Sequence, residues 1–392
     1  MIAKGFIYQT MKPLVSFSGD SPGRSRLNVI LPGLGEDAAF GGMTSALELA
    51  RHLAAAYVSR RFISLYDDEE RFRRNEARPH PAIEDTRIFF ASSGKPLPCH
   101  AGDVFLVTYW PGFSFWEAAH KARLLRGLPP LPFYYFIQDY EPSFAPFGQK
   151  HALALKSYAS GGLTHAVINS AWLAEHLKKH GHAFAREYVL TPSLNPAIAA
   201  WLRKMNFRLL PKDSGQTIIL FYGRPGMARN CFETGLETLS RFFAELPPSG
   251  RGRFSALSAG LPHEDVPLAE GAMLKSLGRL SIQNYIALLA RAHVGLSLMI
   301  SPHPSYPPLE MALFGLPTVT TDYGVKKMRE AHPLLLSTAW PEVDELLPLL
   351  REAVVKAEKL KPAARRAVMP SVLSGLDWAE NFASLHIEPI LP

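Results

Sequence analysis

Two cysteines in 392 residues, Cys99 and Cys231, lie far apart in unlike contexts, so neither a disulfide framework nor a zinc-ligand spacing is present. No apolar run approaches the ~18–20 residues that span a bilayer. The opening stretch MIAKGFIYQTMKPLVSFSGD lacks a sustained apolar core followed by small residues. A secretory leader is therefore not expected, and the cytoplasm is the expected compartment. Internal repeats and low-complexity tracts are absent too. Charged residues make up only 20% against 47% hydrophobic, which excludes a disordered chain.

The formal charge of +7 favours anionic partners. The cations are scattered in pairs such as Arg60-Arg61, Arg73-Arg74 and Lys326-Lys327, with no recognised nucleic-acid module, so nucleic acid is not expected. Arg51 to Arg78 interleaves arginines with Phe62, Leu65, Tyr66 and Phe72. A solvated helix and loop is the plainer reading, and peripheral contact with anionic membrane is the second.

Single cores rarely grow past about 250–300 residues, so two domains of roughly 180 residues are expected. Strand candidates are Leu27–Leu31, Phe62–Tyr66, Val104–Tyr109, Phe133–Ile137 and Ala166–Asn169, then Ile218–Tyr222, Phe254–Ser258, Val294–Met299 and Thr318–Thr321. Helical patterns at Gly42–Tyr57, Ala171–His180, Arg229–Phe243, Ile282–Ala292 and Leu309–Phe314 alternate with them. That alternation predicts α/β architecture, with two Rossmann-like doubly wound domains. Prolines 192, 196 and 211 and the turn Lys212-Asp213-Ser214-Gly215 place the boundary between Thr191 and Gln216, giving domains 1–200 and 201–375. Ligands of such sheets bind beyond the carboxyl ends of the strands, so an interdomain cleft is expected.

The segment from Ser301 to Asp322 is the most informative. Its proline-stiffened loop, SPHPSYPP, precedes a short helix in which Glu310 sits among Leu309, Met311, Ala312 and Leu313. A carboxylate there is costly to bury without a partner, and a ligand offering hydroxyls, such as a ribose, would supply one. Upstream, the strand Ile218–Tyr222 runs into Gly223-Arg224-Pro225-Gly226-Met227-Ala228-Arg229-Asn230. Two guanidiniums five residues apart, one expected at a helix N-terminus, suit a diphosphate.

Together these blocks resemble the nucleotide-sugar site of glycosyltransferases with the GT-B fold, particularly retaining family 4. Arg224 and Arg229 match that family's Gly-Arg-x4-Lys-Gly pattern, with arginine replacing the lysine, and Asn230 follows. Glu310 matches the second glutamate of the Glu-x7-Glu motif, which holds the ribose. The first would fall at Pro302, so the sugar contact passes to His303, or to the backbone of Ser305 and Tyr306. Arg279 and Leu280, in Leu277-Gly278-Arg279-Leu280-Ser281, resemble the lining of the base pocket. The resemblance covers about 100 residues of the second half and implies that the last segment, 376–392, returns to the first domain.

In the first half, Gly41-Gly42 follows the first strand and opens a helix, which lets backbone approach a diphosphate closely. It resembles the family's N-terminal Gly-Gly loop. Gly33-x-Gly35 lacks the third glycine of a dinucleotide fingerprint, which ranks an NAD-dependent oxidoreductase second. The strand Phe133–Ile137 releases Gln138-Asp139-Tyr140-Glu141-Pro142 at its carboxyl end. Asp139 is the candidate group for orienting or deprotonating an acceptor hydroxyl, with Tyr140 and Glu141 beside it. Its other reading is a turn into Pro142. Tyr109, Trp110 and Trp116 are candidates for stacking on sugar rings.

This strand, the arginine block and the Ser301 segment look most like the WsaF-type S-layer rhamnosyltransferases, which implies dTDP-rhamnose as donor and a glycan or lipid-linked acceptor. Asp67-Asp68-Glu69-Glu70 reads as a solvated loop, and no metal or cofactor is expected. A GT-B nucleotide-sugar epimerase would share the diphosphate site without an acceptor groove, and a non-enzymatic glycan-binding scaffold would keep the fold without nucleotide affinity.

Overall fold

In the computed structural model the described residues are 13–18, 25–35, 41–74, 83, 87–209, 211–212, 215–360 and 365–392. The chain divides into two compact units, residues 1–191 with 376–392, and residues 192–375. The break therefore falls at Thr191/Pro192, ahead of residue 200, because Pro192 already accepts from the Ser374 amide of the second unit at 2.7 Å.

The main sheet of unit 1 has, among the described residues, seven strands, β1 (Arg26–Leu31), β2 (Ser59–Ser64), β3 (Arg87–Phe90), β4 (Asp103–Val107), β5 (Phe133–Ile137), β6 (Thr164–Asn169) and β7 (Arg186–Leu190). They lie in the order β3-β2-β1-β4-β5-β6-β7, with every pair parallel. Strand β5, Phe-Tyr-Tyr-Phe-Ile, is buried at every position, the continuous apolar run that a parallel sheet covered on both faces requires. The order reverses between β1 and β4, so the crevice of this sheet opens after Leu31 and Val107. Helix α1 (Gly41–Ala54) buries Met43, Ala46, Leu47, Ala50 and Leu53 at helical spacing.

The C-terminal helix Trp378–Ser384 is opened by a capping box between Asp377 and Glu380. Phe382 packs against Phe136, with ring centroids 6.2 Å apart. Beyond it the Tyr134 hydroxyl takes the Ile390 amide at 2.8 Å and gives to the Glu388 carbonyl at 2.9 Å. These contacts fasten 376–392 onto unit 1.

Unit 2 repeats the plan with β8 (Thr217–Gly223), β9 (Phe254–Gly260), β10 (Val266–Ala269), β11 (Ala272–Ser276), β12 (Val294–Leu296), β13 (Thr318–Thr321) and β14 (Leu335–Thr338). Their order is β10-β11-β9-β8-β12-β13-β14, parallel except for the edge strand β10. Here the reversal lies between β8 and β12, so the carboxyl ends at Gly223 and Leu296 mark the crevice.

Phe62 and Leu65 belong to the core, which leaves only Tyr66, exposed, and Phe72, half-buried, of the apolar side chains in the basic stretch considered as a membrane surface. Among the described residues no helix is long and apolar enough to cross a membrane. Asp67 is not merely solvated: its carboxylate takes the Ser64 hydroxyl at 2.8 Å and the Leu34 amide at 2.6 Å, closing the ends of β1 and β2. Asp68 caps the short helix Glu69–Arg73 through the Glu70 amide.

Candidate nucleotide-sugar site

Strand β8 ends at Gly223, where no side chain fits, since a Cβ would lie 2.2 Å from Ser258 Oγ and 3.0 Å from the Phe232 ring. Arg224 follows, half-buried. A turn through Gly226, at φ +75°, carries the chain into a 3-10 turn over Ala228–Asn230. Cys231, at φ +45°, then separates that turn from helix α2 (Phe232–Glu245). Arg229 therefore sits on the 3-10 turn, ahead of the helix rather than in its first turn. Its carbonyl accepts from Ile300 at 2.7 Å, and the Asn230 amide group gives to the Leu298 carbonyl at 3.1 Å. The arginine turn is thereby tied to the loop after β12.

That loop leads into helix α3 (Tyr306–Leu313). Ser305 stands before it at φ +64°, a left-handed backbone that costs a serine strain and that surrounding contacts must hold. One such contact is the Ser305 amide donating to His303 Nδ1 at 3.1 Å. In the neutral ring this leaves the proton on Nε2. His303 and Ser305 are buried, and Tyr306, whose ring lies 5.5 Å from His303, is half-buried.

Glu310, on α3, is 7% exposed. Burial raises its carboxyl to about 7, with the Tyr285 hydroxyl opposing the shift. Tyr285 lies on helix α4 (Ile282–Arg291), and its own hydroxyl is held well above the ordinary value by burial, then by Glu310 and Tyr222. Tyr222 draws the site together. Burial raises its hydroxyl first, and the remaining influences on it are Arg224, Glu310, Arg229 and Arg279. Charges from three separate segments thus act on one phenol at the carboxyl end of β8. Leu280 is half-buried beside the exposed Arg279. Sequence reasoning does not single out Tyr222 and Tyr285 as site residues. Both read as core in the sequence, and only the fold brings their hydroxyls under the influence of Glu310.

The candidates in unit 1 form a second group. Gly42, in the first turn of α1, lies so close to the end of β5 that a Cβ there would meet Gln138 Oε1 at 2.6 Å. Gly41 adjoins it, and Phe40 lies outside the described residues. Asp139 is buried, its Oδ1 accepting from the next amide at 2.8 Å, and its carbonyl takes the Tyr158 hydroxyl at 3.3 Å. That is the geometry of a turn. Glu141 is equally committed, accepting from the Trp110 amide at 2.7 Å and the Tyr135 hydroxyl at 3.0 Å. Tyr140 packs edge-on to His176 at 4.7 Å, and burial, then the His180 ring, hold His176 down at about 4. Tyr109 and Trp110 are half-buried and meet edge to face at 6.1 Å. Trp116 is no sugar platform: it is 2% exposed, packed 4.1 Å from the Phe133 ring, with Nε1 on the Leu131 carbonyl. Among the described residues no three His, Cys, Asp or Glu side chains are grouped to hold a metal ion.

Residues 26–171 match the family description "WsaF, N-terminal domain", and residues 217–351 match "WsaF, C-terminal domain". The chain belongs to the WsaF family. The O-antigen biosynthesis protein RfbC of Myxococcus xanthus is 32% identical over 289 residues, which is 70% of this chain and 21% of that protein. This family member thus spans about a fifth of that relative's length. Sucrose-phosphate synthase from Thermosynechococcus elongatus superposes with a TM-score of 0.55 at 15% identity, over 92% of this chain and 95% of the other. Anabaena HepE, solved in complex with UDP and glucose, gives 0.51 at 11% identity, over 92% and 94%. These likenesses show the GT-B fold, two Rossmann-like domains.

The glycine at the end of β9 offers a test of how tightly the strand ends are built. A Cβ on Gly260 would lie 2.2 Å from the Gly223 carbonyl oxygen, and its φ is +148°. Backbone cannot yield as a side chain does, so Gly260→Ala should cost more than about 3 kcal/mol in chemical denaturation. A loss under about 1 kcal/mol would contradict this packing.

Proposed function

We propose that the protein is a glycosyltransferase that moves rhamnose from dTDP-rhamnose to a glycan or lipid-linked acceptor in bacterial surface polysaccharide synthesis. The observation that carries this reading is the arginine turn after β8, at the switch point of unit 2, tied by hydrogen bonds to the loop that leads to Glu310, with Arg224, Arg229, Arg279 and Glu310 all acting on the Tyr222 phenol. The matches of both units to WsaF support it, as does the printed role of RfbC in O-antigen biosynthesis.

Each group has a task that suits its chemistry. Arg224 and Arg229 take the diphosphate oxygens through guanidinium forks. Glu310, once ionised, accepts from the 3′-hydroxyl of the nucleotide's deoxyribose, offsetting part of the cost of its burial. Arg279 and Leu280 border the base. With Pro302 where the family has a glutamate, the Nε2–H of His303 and the Ser305–Tyr306 backbone face the sugar.

In the reaction the bond from the anomeric carbon to the diphosphate oxygen breaks as the acceptor oxygen bonds to that carbon. The arginines offset the charge that develops on the leaving diphosphate. The acceptor proton passes to a departing phosphate oxygen, on the same face, and configuration is retained. That route needs neither a metal nor a dedicated carboxylate base, and Asp139 is left to orient the acceptor hydroxyl. Unit 1 supplies the acceptor side, and a lipid-linked acceptor would bring this positively charged protein to the inner face of the membrane.

The test is to supply dTDP-rhamnose, and separately UDP-glucose, with a rhamnose-containing acceptor in excess chelator, following dTDP or UDP release and the product's anomeric signals. Acceptor-dependent dTDP release with a product that keeps the donor's anomeric configuration is expected. Release of sugar epimers without transfer would replace this reading with an epimerase.

A further inference from the structure

We propose that His263 and Ser258 are a positioning pair that sets Arg224 against Arg279, a role that rests on the donor-site reading above. His263 hydrogen-bonds through both ring nitrogens, Nδ1 with the Glu264 carbonyl at 2.7 Å and Nε2 with Ser258 Oγ at 2.8 Å. A carbonyl oxygen only accepts, so Nδ1 carries the proton of the neutral ring and Nε2 accepts from the serine hydroxyl. The His263 amide in turn donates to Ser276 Oγ at 3.2 Å. One residue is thus anchored to β9, to β11 and to its own loop.

What these anchors hold is the spacing between two arginine-bearing turns. Ser258 Oγ presses on Gly223, the residue before Arg224, so closely that a Cβ there would lie 2.2 Å from it. The Ser258 carbonyl takes the Leu277 amide at 2.8 Å, immediately ahead of Gly278 and Arg279. Leu261 donates to the Gly223 carbonyl at 2.9 Å, and Gly260 donates to the Gly278 carbonyl at 3.0 Å. The segment 258–264 therefore bridges Gly223-Arg224 on one side and Gly278-Arg279 on the other. Phe232, at the start of α2, closes the arrangement with its ring 5.0 Å from that of His263.

Ser258 is 1% exposed, too enclosed to react with a substrate, so the pair acts through the arginines. Removing its hydrogen bond frees the Gly223 turn to drift, and a guanidinium fork tolerates little misplacement. A phenylalanine at 263 keeps ring packing on Phe232 and loses the bond, whereas a glutamine keeps an acceptor near the Nε2 position.

Calorimetric titration with dTDP, dTMP, UDP and UMP reads this out. For His263→Phe and for Ser258→Ala, diphosphate affinity should fall about tenfold, the worth of one charge-assisted hydrogen bond. Monophosphate affinity should change less than about twofold, so the diphosphate preference shrinks. His263→Gln should restore most of it, and the double variant should be no worse than either single one. A lowered melting temperature with an unchanged diphosphate preference would make the pair a structural brace and overturn the proposal. Arg224→Ala is the control: if it too leaves diphosphate affinity untouched, the donor-site reading fails instead.

Discussion

Arg224→Ala should abolish measurable nucleoside diphosphate binding while leaving the melting temperature near that of the parent. The side chain is half-buried at a strand end, where truncation leaves no core cavity, and such substitutions usually stay within about 0.5 kcal/mol. Its loss from a bidentate phosphate contact removes two charge-assisted hydrogen bonds of roughly 1.5–3 kcal/mol each. That corresponds to at least about a hundredfold in Kd. Arg224→Lys should recover only part, because an ammonium supplies the charge without the fork. Calorimetry with dTDP and UDP measures both. Unchanged affinity in the alanine variant would remove Arg224 from the site.

Glu310 should make stability and ligand affinity respond to pH in opposite directions. Its carboxyl rises from an ordinary 4.5 to about 7 in the folded chain, because burial opposes the charged form. The folded state thus holds the proton more firmly. The associated stability is fully present below the unfolded value, declines as pH rises toward 7, and is gone above it. For a shift of this size that is about 3 kcal/mol. Relative to Glu310→Gln, which keeps the shape without titrating, the parent should lose this amount between pH 4.5 and 8. Ligand binding runs the other way, since the ionised carboxylate is the stronger acceptor for the 3′-hydroxyl of the deoxyribose. Affinity for dTDP should rise about tenfold from pH 6 to pH 8, with proton release on binding. A terminal phosphate itself titrates near 6, so the Glu310→Gln variant supplies the baseline. A parent and variant with parallel pH profiles would show that Glu310 does not meet the nucleotide.

Much of this architecture is legible in the chain because buried parallel strands are written as short apolar runs. Phe133–Ile137 and Thr318–Thr321 are strands at the expected residues. Edge strands are harder. Arg186–Leu190 is mostly exposed, and its Arg-Glu-Tyr-Val-Leu carries no clear alternation. The hairpin Val266–Ala269 with Ala272–Ser276 turns on Glu270-Gly271 after a proline that breaks the pattern. The long helix Val343–Leu360 is masked in the sequence by Pro348 inside it, although Leu346, Leu350, Ala353 and Ala357 keep helical spacing.

At the site, the carboxylate and the arginines are visible because a charge in an apolar or glycine-rich context asks for a partner. The tyrosines that join them are not, since a phenol in a strand looks like packing until its hydroxyl has coordinates. Asp139 is visible in the same way. A carboxylate at a strand end satisfies the pattern for a base, and here its Oδ1 also accepts from the Tyr140 amide, a local bond the sequence does not announce. The His263–Ser258 contact spans a loop whose composition, Leu-Pro-His-Glu-Asp, reads only as a turn.

The most direct measurement is a metal-free thermal-shift panel with dTDP, UDP, GDP, ADP and NAD. A ligand at about a hundred times its Kd adds roughly 2.7 kcal/mol of stability, well within reach of the method. The account predicts a shift with dTDP, a smaller one with UDP, and none in Arg224→Ala. A shift with NAD alone, or with none of the five, would contradict it.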